Sequence, residues 1–183
     1  MKTWVRKSVL LLGISLLGAA NVAALTLSLA GGVQLEPLSG AGAYGSGYGG
    51  ALAAGFYPFE AAPVEVIGRL GFHSFPAEEG RFGTARMVMP GVRIAYTPVI
   101  AVSEGLSLEP RLFSGYQQYI FNHQFEGEAH QTYRPVYTGG GALLLSFDSY
   151  SVGPQIAYNL FFDETPQSAM ELELLVRYRY GGR

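Results

Sequence analysis

Eleven ionisable side chains fall on the polar face of an apolar-polar alternation that runs through this chain: Glu65, Arg69, His73, Arg93, Glu109, Arg111, Arg134, Glu171, Glu173, Arg177 and Arg179. Enclosed together, such groups have two simple uses. Forked Arg donors pair bidentately with Glu and compensate its buried charge, which makes a plug. Held further apart, the same groups line a narrow charged passage, which makes a filter. Catalysis would need a nucleophile beside a base, and His73-Ser74 supplies those residue types. Adjacent strand positions point to opposite faces, so the two do not make one catalytic couple. His123, Glu126, Glu128 and His130 contain the atoms to chelate a divalent ion. Their spacing fits no established ligand register, and polar residues of this kind also serve simply to solvate a loop. The chain is therefore expected to have no catalytic residue, no metal and no cofactor.

These side chains belong to 183 residues that are 49% hydrophobic and 14% charged, with 25 Gly, 10 Pro and no Cys. That size suits one domain, and its apolar content argues against disorder. Without Cys there is no disulfide framework, thiolate metal site or cysteine nucleophile. Lys is absent after Lys7, and the later Arg residues are outnumbered by Asp plus Glu. No basic surface exists for phosphate contacts, so no nucleic-acid partner is expected.

The N-terminus has the form of an export signal: a basic stretch from Met1 to Lys7, an apolar one from Ser8 to Leu17, and small residues at Val22-Ala23-Ala24. Cleavage after Ala24 is expected, leaving residues 25–183 as the mature domain. An uncleaved helical anchor is the rival, since apolar character continues to Val33. The period decides against it, because from Leu25 onward apolar residues fall on every second position.

That period recurs in eight runs: Leu25 to Glu36, Tyr48 to Tyr57, Val64 to Phe75, Met87 to Thr97, Leu106 to Tyr119, Thr132 to Phe147, Tyr150 to Phe162 and Ala169 to Tyr180. Gly, Pro, Ser or Asp clusters bound them. In the third, Val64, Val66, Gly68, Leu70 and Phe72 oppose Glu65, Ile67, Arg69, Gly71 and His73. Alternation alone also suits a soluble periplasmic barrel that binds an apolar ligand. The length of the runs separates the two, since a tilted strand needs about 9 to 11 residues to cross a bilayer and soluble strands average about 5 to 6.

Aromatics gather at the strand ends in two bands, as expected of a transmembrane barrel. One band has Tyr57, Phe59, Tyr96, Phe147, Tyr150, Tyr178 and Tyr180; the other has Phe72, Phe75, Tyr116, Tyr119, Phe121, Tyr133, Phe161 and Phe162. Connections divide into shorter turns (Pro58 to Pro63, Pro98 to Gly105, Asp148-Ser149) and outer loops (Pro37 to Gly47, Pro76 to Arg86, Ile120 to Gln131, Asp163 to Ser168). The outer loops are acidic, through Glu78, Glu79, Glu126, Glu128, Asp163 and Glu164. Pro90, Pro110 and Pro154 lie within strands and are expected to mark bulges.

The whole mature chain resembles the small eight-stranded outer-membrane β-barrels of Gram-negative-type bacteria, the OmpA-, OmpX- and OmpW-like superfamily. Its ending, Leu174-Leu175-Val176-Arg177-Tyr178-Arg179-Tyr180, is similar to the terminal-strand signal of such barrels, with Gly181-Gly182-Arg183 following the aromatic. The resemblance implies an all-β, eight-stranded, antiparallel, up-and-down transmembrane barrel in the outer membrane, preceded by a cleaved signal peptide. It implies outer-membrane lipid and the barrel-assembly machinery as partners. The eleven ionisable groups then form a lumen network, and a monomer with a structural or surface-interactive role is expected, its outer loops open to an extracellular ligand. A narrow pore for small solutes is the alternative; a lipid-modifying enzyme is a more distant one.

Overall fold

The computed structural model describes residues 24–35, 46–59, 62–76, 85–125, 128–161 and 167–181. Residues 1–23, most of the acidic loop residues and Phe162 lie outside the described residues. Strict alternation makes every run a strand: β1 Ala24–Leu35, β2 Gly47–Tyr57, β3 Val64–Phe75, β4 Ala85–Tyr96, β5 Ile100–Ser103, β6 Leu106–Phe125, β7 Glu128–Phe147, β8 Tyr150–Phe161 and β9 Gln167–Tyr180. Apart from β4 and β5, neighbours in sequence pair antiparallel; β1 pairs with β9, and β4 pairs with β6. Eight long strands therefore close into an up-and-down barrel, leaving no free edge among them, and short β5 is a flap on β6. At about 3.3 Å per residue, the 12 residues of β1 make roughly 40 Å of strand, about 30 Å of height once tilted. That matches the hydrocarbon core of a bilayer.

Burial follows parity. In β3, Glu65, Ile67, Arg69, Gly71, His73 and Phe75 are buried, while Gly68, Leu70 and Phe72 are exposed. In β9, Glu171, Glu173, Leu175 and Arg177 are buried, and Leu174 and Val176 lie outside. Large apolar residues are exposed all round the wall, among them Leu27, Leu52, Val92, Ile94, Leu112, Leu143, Ile156 and Leu174. An exposed apolar surface of that extent is stable against lipid and not against water.

Four expectations need correction. First, Ile120 to Gln131 is mostly strand: β6 and β7 each run for 20 residues and pair up to Phe125 opposite Glu128. Apolar alternation stops where the lipid would stop, but Tyr, Phe and Thr keep the extended backbone paired beyond it. Second, the turn from Pro98 to Gly105 contains β5, closed by a tight turn at Gly105 with φ of 74°.

Third, Pro90, Pro110 and Pro154 do not form bulges. Each stays in register with one neighbour, opposite Leu70, Leu143 and Leu174 respectively. On the other side the pairing is interrupted without a shift. The β4–β6 ladder skips from Val88 opposite Ile120 to Gly91 opposite Gln117, and β7–β8 skips from Ala142 opposite Gln155 to Leu145 opposite Val152. Pro110 faces the break between the β4 and β5 ladders. A missing N–H costs one bond toward one neighbour, and that cost is absorbed locally.

Fourth, the aromatic bands are thinner than expected. Tyr57, Phe75, Tyr119, Phe121 and Phe161 are buried inside the barrel, whereas Phe59, Tyr96, Phe147, Tyr150 and Tyr180 at one end and Phe72, Tyr116 and Tyr133 at the other are exposed. Proximity to a strand end does not decide the facing of a ring; parity does.

Candidate functional site

Eight strands enclose a narrow lumen, and here side chains fill it in layers. At the end where β1 begins and β9 finishes, Glu65 on β3 accepts from Thr26 Oγ1 on β1 and from Arg111 Nη2 on β6 at 2.6 Å. Arg177 Nη1 on β9 stands 3.7 Å from the same carboxylate. Glu109 on β6 accepts from Arg177 and, at 2.8 Å, from Arg179 Nη2. Arg177 also reaches Ser151 Oγ at 3.2 Å, and the Arg179 guanidinium lies 5.8 Å from the centre of the Tyr57 ring.

Nearer the loop end a second charged layer is built on β9. Arg69 Nη2 donates to Glu173 and lies 3.3 Å from Glu171, while its Nη1 donates to Gln117 Oε1 at 3.0 Å. Glu171 also accepts from Tyr119 Oη and Asn159 Nδ2, each at 3.0 Å. Glu173 accepts from Gln155 Nε2 at 2.6 Å. Arg93 Nη2 is 3.9 Å from Glu171, and its guanidinium lies 4.6 Å above the Phe113 ring. His73 Nδ1 is 3.0 Å from Gln34 Oε1. Glu65, Glu109 and Glu171 are fully buried; a carboxylate so placed is tolerated only when its charge is met by several donors.

Two small apolar groups separate the layers: Ala30, Ala51, Leu144 and Leu175, and Ile67, Ala95, Phe113 and Ala157. Above everything, Phe75, Met87, Met89, Tyr119, Phe121, Val136 and Phe161 pack into an apolar cap inside the loop end. Tyr119 stacks edge-on to Phe161 with centroids 5.2 Å apart. Apolar packing therefore occupies the described interior alongside the Arg and Glu pairs. The void at mid-height is a cavity of about 20 Å³, room for about one water.

Ten of the eleven expected residues line this interior. Arg134 also has inward parity: it is half-buried on β7 opposite the lumen-facing Tyr119 in the ladder, at the level of the cap above the charged layers. Thr26, Gln34, Tyr119, Gln155 and Asn159 are partners beyond the expected set, although parity already places each of them inward. His73 faces the lumen and Ser74, opposite Tyr48, belongs to the outer face, so the two stand apart as strand geometry requires. His130 lies 4.0 Å from Glu128 in the exposed part of the β6–β7 hairpin, and the side chain of His123 lies outside the described residues.

No protein-family model matches the chain, and no curated protein matches it. Solved structures do. Neisserial surface protein A (NspA) superposes with a TM-score of 0.58 at 13% identity, covering 86% of this chain and 96% of that one. A major outer membrane protein from Thermus thermophilus gives 0.57 at 11% identity, over 86% and 99%. The N-terminal β-barrel domain of Pseudomonas aeruginosa OprF gives 0.55 at 11% identity, over 87% and 98%. Fold and wall together define the class: an eight-stranded antiparallel β-barrel of the outer-membrane type, which crosses lipid with strands.

Proposed function

We propose that this protein is an outer-membrane barrel with a closed lumen, whose role is structural or surface-interactive. The observation that carries this is the filled interior: two Arg and Glu layers, an apolar cap and a water-sized cavity between the layers. Residues 1–24 act as a leader removed on export, and the barrel is inserted as a monomer by the assembly machinery. The loop end faces outward. There the β6–β7 hairpin rises past the paired part of β8, which begins at Val136 opposite Phe161, and offers Gln131, Tyr133 and His130 to an extracellular partner.

Conductance across a planar bilayer tests the closed lumen, once unboiled-gel mobility has shown that the barrel is folded. A folded, silent barrel supports it. Discrete openings that change when Arg93 or Arg111 is replaced would establish the narrow pore instead. Recovery in the soluble periplasm without detergent would overturn membrane residence.

A further inference from the structure

The cavity at mid-height has an unusual lining. Arg69, Arg93 and Arg111 all border it, together with Ser28, Gln155 and the Phe113 ring, and among the described residues no carboxylate does. Arg69 and Arg111 have their charges met elsewhere, by Glu171 with Glu173 and by Glu65. Arg93 does not. It is only 3% exposed, the one carboxylate within 4 Å of it among the described residues, Glu171, stands 3.9 Å away, and its Nε and Nη2 have no hydrogen-bond partner there. Arg111 Nε is also without one. A buried guanidinium with unmet donors is among the costlier things a protein interior can hold.

Charge balance points the same way. Enclosed in the lumen are Arg69, Arg93, Arg111, Arg177 and Arg179 against Glu65, Glu109, Glu171 and Glu173, an excess of one cation among the described residues. In a low-dielectric interior one unbalanced charge is felt across the whole barrel. A water in the cavity accepts hydrogen bonds but cannot neutralise that charge.

We infer that the cavity between the two charged layers is a binding site for one small monovalent anion of halide size, held by Arg93 with Arg111 and Arg69 around it. The anion satisfies the unmet donors and balances the interior charge. A polyatomic carboxylate such as gluconate is too large for about 20 Å³. The inference does not depend on whether the barrel conducts.

The test uses protein extracted from membranes in detergent, unfolded and refolded with bromide as the sole halide, then crystallised. Anomalous diffraction at the bromine edge is expected to show one peak in the cavity beside the Arg93 guanidinium; a map without that peak, with Arg93 in place, overturns the site. In solution, the unfolding midpoint is expected to rise with bromide concentration relative to gluconate at equal ionic strength. Arg93→Met is expected to abolish the difference. Because that variant removes a buried charge and can fail to fold, Ala53→Leu provides a second arm: Ala53 lines the same cavity, and the larger side chain fills it without changing any charge. A bromide effect that survives Ala53→Leu overturns the proposal.

Discussion

The Tyr119 hydroxyl on β6 donates to Glu171 Oε1 on β9 at 3.0 Å, so one side chain belongs both to the apolar cap and to the charged layer beneath it. The ring packs against Phe161 and the oxygen completes the donors around a carboxylate that has no contact with solvent. Tyr119→Phe keeps the ring and removes only the donor. The expected loss is about 1–3 kcal/mol, because Glu171 is left one bond short in a dry interior. Tyr119→Ala also empties the cap and should cost about 3–5 kcal/mol. Urea midpoints in lipid vesicles separate the two: a Tyr119→Phe without loss would mean that the hydroxyl contributes nothing, and equal losses would mean that the ring contributes nothing.

Arg111 and Glu65 form the corresponding link at the other end, at 2.6 Å with both side chains buried. Arg111→Met leaves Glu65 with Thr26 and a more distant Arg177, and about 3–5 kcal/mol of stability should be lost. Removing both charges, as Arg111→Met with Glu65→Gln, should recover part of that loss, since Gln still accepts from Thr26. A double variant no better than the single one would show that the pair contributes through packing alone.

Much of this architecture is legible in the sequence, because a barrel wall imposes one simple rule: alternate residues face lipid and lumen. Glu65, Arg69 and His73 on one strand, and Glu171, Glu173 and Arg177 on another, declare their side by parity alone. What parity does not carry is register. That Glu65 meets Arg111 and Glu109 meets Arg177 depends on how far each strand slides past its neighbours, which no single strand encodes. The cap is hidden for another reason. Phe75, Tyr119, Phe121 and Phe161 group by height with an interfacial girdle, although their parity matches Arg69, Gln117 and Asn159 on the same strands. The prolines mislead because an interrupted ladder and a bulge look alike in sequence.

The lipid-facing wall makes its own prediction. Leu174 is 57% exposed and stands near the middle of β9, opposite Pro154 and Gly31. Leu174→Arg places a cation in the hydrocarbon and should cost about 2–4 kcal/mol near the midplane. Leu174→Ala should cost far less. The measurement is the unfolding free energy in vesicles, and an arginine tolerated there without loss would put the belt at a different height.

Gly115 on β6 lies opposite Arg93 on β4 and faces the lumen. A Cβ built there would come within 2.2 Å of the Val92 carbonyl oxygen and 2.7 Å of Arg93 Cα, and neither atom belongs to a flexible side chain. The two backbones approach closely because a small barrel must bend sharply at its corners, and glycine permits the bend. Gly115→Ala should therefore force β4 and β6 apart and destabilise by about 1–3 kcal/mol, as overpacking does. Gly139 on β7 supplies the matched control: its Cβ would meet nothing closer than the Phe113 carbonyl oxygen at 3.9 Å. Gly139→Ala should be neutral or stabilise by about 0.4–1 kcal/mol, through the reduced freedom of the unfolded chain. The pair is compared by urea midpoint and by the fraction that runs as folded barrel on an unboiled gel. Equal behaviour of the two alanines would mean that the β4–β6 corner is not as tight as the geometry requires.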